Sequence, residues 1–134
     1  MSFLEKLKPL GLLLLRWGLG AIFAFHGYPK LFGDPRRAMD FFASVGLPGW
    51  LVYVAGVVEF FGGWMLIAGL FTRIAALLLT AEMAIAVWKV HLAEGVLAWD
   101  QYQFPLAMAV GAFALATCGA GVISLDKLIF RERA

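Results

Sequence analysis

Four stretches of predominantly apolar residues take up most of the chain, at positions 10–32, 50–71, 74–92 and 104–125. A helix needs about 20 such residues to cross the hydrocarbon of a bilayer, where its backbone groups must be hydrogen-bonded within the helix itself. The sequence therefore predicts an all-α membrane protein. We expect a bundle of four transmembrane helices that forms a single domain over residues 1–134.

The composition excludes several other classes of protein. Hydrophobic residues make up 63% of the chain and charged residues 15%, against roughly 45–50% and about a quarter in soluble domains. This excludes a soluble enzyme and a disordered tail. With a net charge of only +2, the chain also lacks the basic surface that binds a phosphate backbone. No nucleic-acid partner is therefore expected. The single cysteine, Cys118, excludes an internal disulfide and a cysteine-rich metal site.

The connections between the stretches contain residues that are typical of turns and helix ends. Asp34-Pro35 predicts a helix start, with Asp34 as N-cap, and Gly46-Leu47-Pro48 predicts the end of that helix. Apolar residues between them recur on one face, so we expect a short amphipathic helix at about 35–45, lying at the membrane surface. Thr72 is expected to cap the third span, and residues 94–103 are expected to form a polar loop before the fourth.

The distribution of basic residues predicts the topology. If both termini are cytoplasmic, six basic side chains fall on the inner side: Lys6, Lys8, Arg73, Lys127, Arg131 and Arg133. The sequence thus predicts an N-in, C-in arrangement. The basic tail, residues 126–134, is interpreted as a topogenic end, with a docking surface for a soluble partner as the alternative.

Ionisable residues inside the spans are the candidates for a site. Each charged side chain at the bilayer centre costs about 2.5–3.5 kcal/mol, so these residues should face inward and pair. By helical rise, the two glutamates lie at nearly the same height, with Arg16 a turn or two nearer the cytoplasm and within reach. The set is Arg16, His26, Lys30, Glu59, Glu82 and Lys89.

Two interpretations of this polar set stay open. It is either an ion-pair network that fixes helix register or a functional site. In a site, Glu59 and Glu82 would handle protons, because two buried carboxyls repel and burial favours the neutral form. Ligand contacts would come from the four basic residues, Arg16, His26, Lys30 and Lys89, with Trp64 beside a planar ligand such as a quinone head group.

Other cofactors have less support in the sequence. A bis-histidine haem needs two imidazoles at one height, and His26 and His91 are offset by about a turn. A metal held by the same two histidines and a carboxylate has no better support. No metal site is therefore predicted, and quinone is the one candidate cofactor.

Six short motifs occur in order along the chain: Arg16…Gly20, His26-Gly27…Lys30-Leu31, Gly46-Leu47-Pro48, Glu59…Gly62-Gly63, Gly69-Leu70-Phe71-Thr72-Arg73 and Gly119-Ala120-Gly121…Ser124-Leu125-Asp126. In this order they resemble the DoxX family over nearly the whole chain. The resemblance implies a four-helix protein of the bacterial inner membrane. It also points to Arg16, His26, Lys30, Glu59 and Arg73 as the family's polar positions.

The activity that the resemblance implies is membrane redox chemistry. The related proteins DoxD and DoxA form a thiosulfate:quinone oxidoreductase, and DoxX proteins of actinobacteria are associated with thiol-redox homeostasis. The chain would then be a subunit or accessory of a quinone-linked or thiol/sulfur-linked system, with a soluble or membrane redox partner. A homo-oligomer stays open.

Two sequence features bear on that expectation. Many relatives have a glutamate at the start of the fourth span, where this chain has Gln103, so a proton carrier at that position is in doubt. With Cys118 alone, no thiol–disulfide cycle can run within one chain. Whether the chain is an enzyme is left open, and the alternative is a non-catalytic anchor, an assembly factor or a small-molecule binding or transport module.

Overall fold

The computed structural model describes residues 2–95 and 97–130, without the side chains of residues 92–94, and all regular structure in this part of the chain is helical. In chain order the helices are α1 (Ser2–Glu5), α2 (Lys8–Phe32), α3 (Arg36–Ser44), α4 (Leu51–Ala68), α5 (Thr72–Glu94), α6 (Trp99–Cys118) and α7 (Leu125–Phe130). The predicted all-helical fold is confirmed. The basic residues Arg131 and Arg133 lie outside the described residues.

Three helices of the described chain are long and apolar enough to cross a membrane: α2, α4 and residues Thr72–His91 of α5. The fourth long helix, α6, has 20 residues and packs along α5. The prediction of transmembrane helices is thus confirmed for three of the four spans. The fourth crossing remains a prediction.

The long helices pack as two pairs, α2 with α4 and α5 with α6. Glycines bring α2 and α4 together: a Cβ built on Gly63 would lie 2.5 Å from the Gly20 carbonyl oxygen and 2.6 Å from the Ala24 nitrogen. Close backbone contact of this kind is typical of helix packing in membranes. Apolar side chains from all four long helices fill the centre, including Leu19, Phe23, Leu66, Leu79, Met108 and Leu115.

The two ends of the bundle differ. At one end, the α3 end, helix α3 connects α2 to α4. At the other, the α7 end, the turn between α4 and α5 meets the chain that follows α6. The apolar face of α3 is turned towards the bundle, where Ala38, Phe41 and Phe42 line a cavity, while Arg36 and Arg37 are exposed. An amphipathic helix at this position is what the sequence predicted.

Two predicted helix starts are wrong in detail. The N-cap of α3 is Pro35, not Asp34. The Asp34 carboxylate instead accepts hydrogen bonds from the backbone N–H of Arg36 and from its guanidinium, and the pKa of Asp34 is lowered mainly by that guanidinium. The N-cap of α5 is Phe71, with φ of +49°, and Thr72 makes no side-chain cap.

The bounds predicted for the fourth span are also wrong. Helix α6 begins at Trp99, inside the expected polar loop, and ends at Cys118. It starts early because Tyr102 is buried against Val45 and Val90, which favours one more turn of helix at the α3 end. It ends early because Gly119 adopts a φ of +82°, a conformation that leaves the α-helix and is readily available to glycine.

Candidate functional site

A cavity of about 460 Å³ lies inside the α3 end of the bundle, between α2, α4, α5 and α6. One face of α4 lines it with residues three or four positions apart: Leu51, Val54, Ala55, Val58 and Glu59. A matching face of α5 contributes Glu82, Ile85, Ala86 and Lys89. Because this spacing repeats each helical turn, the lining residues of each helix lie on one face of it. Its size falls within the range of small-molecule sites.

Five of the seven predicted site residues line this cavity: His26, Lys30, Glu59, Glu82 and Lys89. The rest of its lining is mostly apolar. A largely apolar pocket with a few converging polar groups is typical of a ligand site. Which of these residues act on a ligand remains a prediction.

Lys30 and Glu59 form an ion pair across α2 and α4. The Lys30 Nζ donates to Glu59 Oε2 at 2.6 Å, and the two side chains are 18% and 3% exposed. Lys30 lies in the last turn of α2, so its long stem reaches inward to the carboxylate. The pair neutralises two charges within an apolar environment.

Glu82 differs from Glu59 in having no hydrogen-bond donor. Both of its carboxyl oxygens are buried and without a partner among the described residues. It interacts electrostatically with Glu59 and with Lys30, and it lies close enough to Glu59 for the two carboxyls to share a hydrogen bond through one proton, so the two carboxyls and one ammonium form a compact cluster. An unpartnered buried carboxyl is costly to a fold, which makes Glu82 the group in this cavity most in need of a further partner.

The remaining polar groups stand at the sides of the cavity. The His26 Nδ1 lies 2.8 Å from the Ile22 carbonyl oxygen, and since a carbonyl can only accept, this nitrogen carries the hydrogen. In a neutral imidazole the other ring nitrogen is then an acceptor. The imidazole stacks on Phe104 with 5.4 Å between ring centroids. The Lys89 Nζ lies 4.9 Å from the centroid of the Trp88 ring.

Arg16 lies apart from this cavity, at the α7 end, and is 1% exposed. Its guanidinium donates to the carbonyls of Leu66 and Ala120 at 2.9 and 2.7 Å and to those of Ile123 and Ile67 at 2.7 and 3.3 Å. The expected pairing of Arg16 with the glutamates is therefore wrong. The helical rise placed the Arg16 guanidinium within reach of the glutamates. Backbone carbonyls at the end of α4 and after α6 accept its hydrogen bonds instead.

Asp126 is the buried residue that the sequence analysis missed. It is 2% exposed, and its carboxylate accepts from the backbone N–H groups of Phe71 and Thr72 at 2.6 and 2.9 Å. It therefore caps α5 and is also the acidic group that interacts with Arg16. Its place in the closing Ser124-Leu125-Asp126 motif could have indicated this role.

Three other predicted positions lie outside the cavity. Trp64 is 53% exposed and is not part of the lining. Arg73, at the α7 end, donates to the carbonyls of Ala116 and Thr117, so it caps the end of α6. His91 packs edge-to-face on Tyr102 at 6.1 Å. Among the described residues, no group of three His, Cys, Asp or Glu side chains could hold a metal ion.

The sequence matches one family model and several known proteins of nearly the same length. A family model, DoxX, matches residues 11–92. The chain is 31% identical over 130 residues to a Bacillus subtilis protein named "Putative oxidoreductase CatD", covering 97% of this chain and 95% of that protein. It is 27% identical to the Escherichia coli "Inner membrane protein YqjF", covering 96% of this chain and 99% of that protein.

A further relative is an "Uncharacterized protein" of Haemophilus influenzae, 37% identical over 98% of this chain and 100% of that protein. No solved structure matches the chain. The family model covers more than half of the sequence, and these relatives align over nearly their whole length. This chain therefore belongs to the DoxX family of membrane proteins.

Proposed function

We propose that this DoxX protein is a component of a membrane redox system and that its cavity binds the head group of a quinone. The observation that carries the proposal is Glu82, a buried carboxyl without a donor, beside the Lys30–Glu59 pair in an apolar cavity. The printed name of the Bacillus subtilis relative, an oxidoreductase, supports the redox part. The volume of the cavity and its mostly apolar lining with a few polar groups both suit such a ligand.

Each polar group has a defined task in this proposal. Glu82 accepts a hydrogen bond from a ligand hydroxyl and takes up its proton, which it can hand on to the carboxylate of Glu59 next to it. Lys30 holds Glu59 in place and offsets its charge. His26 presents its second ring nitrogen, and Lys89 adds a positive charge. When bound, a quinone supplies the electron exchange that the chain's own side chains lack.

Because the chain has no redox group of its own, the proposed system needs a partner protein. The single cysteine leaves the chain without an internal thiol pair, so electrons have to pass between the ligand and a soluble or membrane partner protein. We place the protein in the bacterial inner membrane with four crossings and both termini in the cytoplasm. The Escherichia coli relative, named as an inner membrane protein, supports that location.

The second candidate function is non-redox: an anchor, an assembly factor or a module that binds or transports a small molecule. The cavity itself favours the small-molecule version, because a site of this size needs no redox group in order to carry a ligand. Extraction in mild detergent followed by mass spectrometry of bound small molecules separates the two. A co-purifying quinone supports the redox role, and another compound in its place supports the alternative.

The variant Glu82→Leu tests the proposal directly. Removing a buried, unpartnered carboxyl should raise the thermal stability of the protein, because the side chain costs free energy where it stands. The same change removes an acceptor worth about 1.5–3 kcal/mol, so affinity for reduced ubiquinone-1 should fall about tenfold or more. Glu5→Gln, on the exposed helix α1, is the control and should change neither.

The two readouts separate a functional carboxyl from a structural one. A variant that is more stable and binds the quinol less well supports the proposal. If Glu82→Leu lowers the unfolding temperature and leaves quinol binding unchanged, the carboxyl is structural and the proposal fails. It also fails if the wild-type protein shows no saturable binding of ubiquinone-1 in either redox state.

A further inference from the structure

The charged groups at the centre of the cavity do not balance, and the group left over is the Glu82 carboxyl. Lys30 and Glu59 neutralise one another across a contact of 2.6 Å. Glu82 interacts electrostatically with both of them, yet no donor among the described residues reaches its buried oxygens. With both carboxyls ionised, these three side chains carry one positive and two negative charges. The cluster then lacks one positive charge.

The other titratable side chains of the cavity lining do not supply that charge. On α5, Lys89 lies about 10.5 Å from Glu82 along the helix axis, and its Nζ is 4.9 Å from the centroid of the Trp88 ring. Trp88 is itself outside the lining. On α2, the His26 Nδ1 is engaged with the Ile22 carbonyl. The described residues that α3 and α6 contribute to the lining include no titratable side chain.

A buried carboxylate without a donor can be neutralised in two ways. It can hold a proton, and Glu82 lies close enough to Glu59 for the two carboxyls to share one. It can instead pair with a cation that enters the cavity. Either way the same single charge is cancelled, and a carboxylate left unpaired in an apolar environment is costly. A proton and a cation therefore exclude one another at this site.

The lining decides which kind of cation fits. Metal ions such as Ca²⁺ and Mg²⁺ need about six or more oxygen ligands, and no group of three His, Cys, Asp or Glu side chains in the described part of the chain could hold a metal ion. The lining is instead mostly apolar and includes four aromatic rings, those of Phe23, Phe41, Phe42 and Phe104. Such rings attract organic ammonium groups, most strongly where water is excluded. An organic cation thus suits both the charge and the walls of the cavity.

We propose that the cavity binds a monovalent organic cation, an ammonium group with an aromatic or alkyl substituent, in exchange for one proton. Without the cation, the proton is shared between Glu59 and Glu82. When the cation enters, this proton leaves to water and the ammonium group pairs with the Glu82 carboxylate. The charges of the cluster and its ligand then cancel in both forms. The exchange involves no redox step, so it does not depend on the quinone proposed above.

The first experiment measures how binding depends on pH. Benzyltrimethylammonium is the probe, because its charge does not change with pH, and its binding to the protein in detergent is measured by calorimetry. A ligand that binds only the deprotonated form binds more tightly as the pH rises and releases protons when it binds. We expect at least tenfold tighter binding at about pH 9 than at about pH 6, and about one proton released per cation at the lower pH.

The second experiment removes the carboxylate and keeps the shape of the side chain. Glu82→Gln should weaken binding of benzyltrimethylammonium at about pH 9 at least tenfold and abolish its dependence on pH. The matched control is Glu5→Gln on the exposed helix α1, which makes the same chemical change away from the cavity and should behave as the wild type. Thermal unfolding in detergent shows that both variants are folded. If Glu82→Gln does not fold, the proton release of the wild type decides the proposal.

The results are separate from those of the quinone experiments. The cation proposal is overturned if the wild type shows no saturable binding of benzyltrimethylammonium, if binding releases no proton at about pH 6, or if Glu82→Gln binds the cation as the wild type does. Binding of the cation without binding of ubiquinone-1 supports this proposal and removes the quinone, and the opposite result does the reverse. If both bind, each should displace the other, and a failure to do so would place the cation outside the cavity and overturn the proposal.

Discussion

At the scale of single residues, the buried charges have two kinds of partner. Arg16 and Asp126 are bound to backbone groups at helix ends, whereas Lys30 and Glu59 pair with each other in the cavity. The sequence predicted that these charged side chains face inward, because exposing a charge to lipid costs free energy whichever face of the helix carries it. It could not predict the partner of Arg16, since the helical rise gives a height but not which carbonyls a chain turn leaves free.

The role of Arg16 at the α7 end can be measured by a conservative substitution. Arg16→Lys keeps the charge but replaces a planar group that reaches four carbonyls with one compact ammonium. We expect a loss of about 3 kcal/mol in unfolding free energy, from two or more charged hydrogen bonds at about 1.5–3 kcal/mol each. Thermal unfolding in detergent measures it. Arg36→Lys, at an exposed ion pair, serves as the control and should stay within about 0.5 kcal/mol.

The ion pair in the cavity calls for a double-variant design. Lys30→Met leaves Glu59 without its cation and should cost about 3–5 kcal/mol, as expected when one member of a buried pair is removed. Adding Glu59→Leu to Lys30→Met should recover most of that loss, because the carboxylate that lost its cation is then absent as well. The same unfolding assay measures both. If the double variant is as unstable as the single one, packing and not charge accounts for the cost.

At the scale of secondary-structure elements, periodic patterns were predictable and turn details were not. The amphipathic helix α3 follows from apolar residues three or four positions apart, as does the cavity-lining face of α4. The end of α6 does not follow from such a pattern, because it depends on the positive φ of Gly119. The apolar residues continue past Gly119 to residue 125, so the apolar pattern does not show that the helix stops there. The cap of α5 comes from Asp126, 54 residues away from Thr72, and no local pattern reveals a partner at that distance.

The contact between α2 and α4 predicts opposite results for two glycines. Gly63→Ala places a Cβ 2.5 Å from a backbone oxygen of the facing helix, so the helices must separate, at a cost of about 1–3 kcal/mol. Gly18→Ala meets nothing within 4 Å, and alanine favours a helix over glycine, so no loss is expected. Unfolding temperatures of the two variants would show the difference. Equal effects would mean that this contact does not limit stability.

At the scale of the whole molecule, the two ends of the bundle have different tasks. The α7 end is closed by Arg16, Arg73 and Asp126, which satisfy the backbone where helices stop. The α3 end contains the cavity and its polar cluster. The sequence predicted most members of that cluster, since charges within apolar stretches are conspicuous. It could not predict the cavity, because an internal space depends on how far the helices diverge and not on any one residue.

The proposed topology makes the final prediction, which concerns all four long helices at once. In a Cys118→Ser background, single cysteines are placed at two exposed positions of the α3 end, Arg37→Cys and Asp100→Cys, and at two positions of the α7 end, Glu5→Cys and Lys127→Cys. With four crossings and both termini inside, a membrane-impermeant maleimide added to intact cells should label only the first two.

Permeabilised cells provide the control, because all four cysteines should then react. Labelling at Arg37→Cys and not at Asp100→Cys would contradict the proposed arrangement, as would labelling at Lys127→Cys in intact cells, since either result means that α5 or α6 does not complete its crossing. Agreement at all four positions would establish α6 as a span despite its polar first turns. It would also place the cavity in the half of the bilayer that faces away from the cytoplasm, with Glu59 and Glu82 near the middle of α4 and α5.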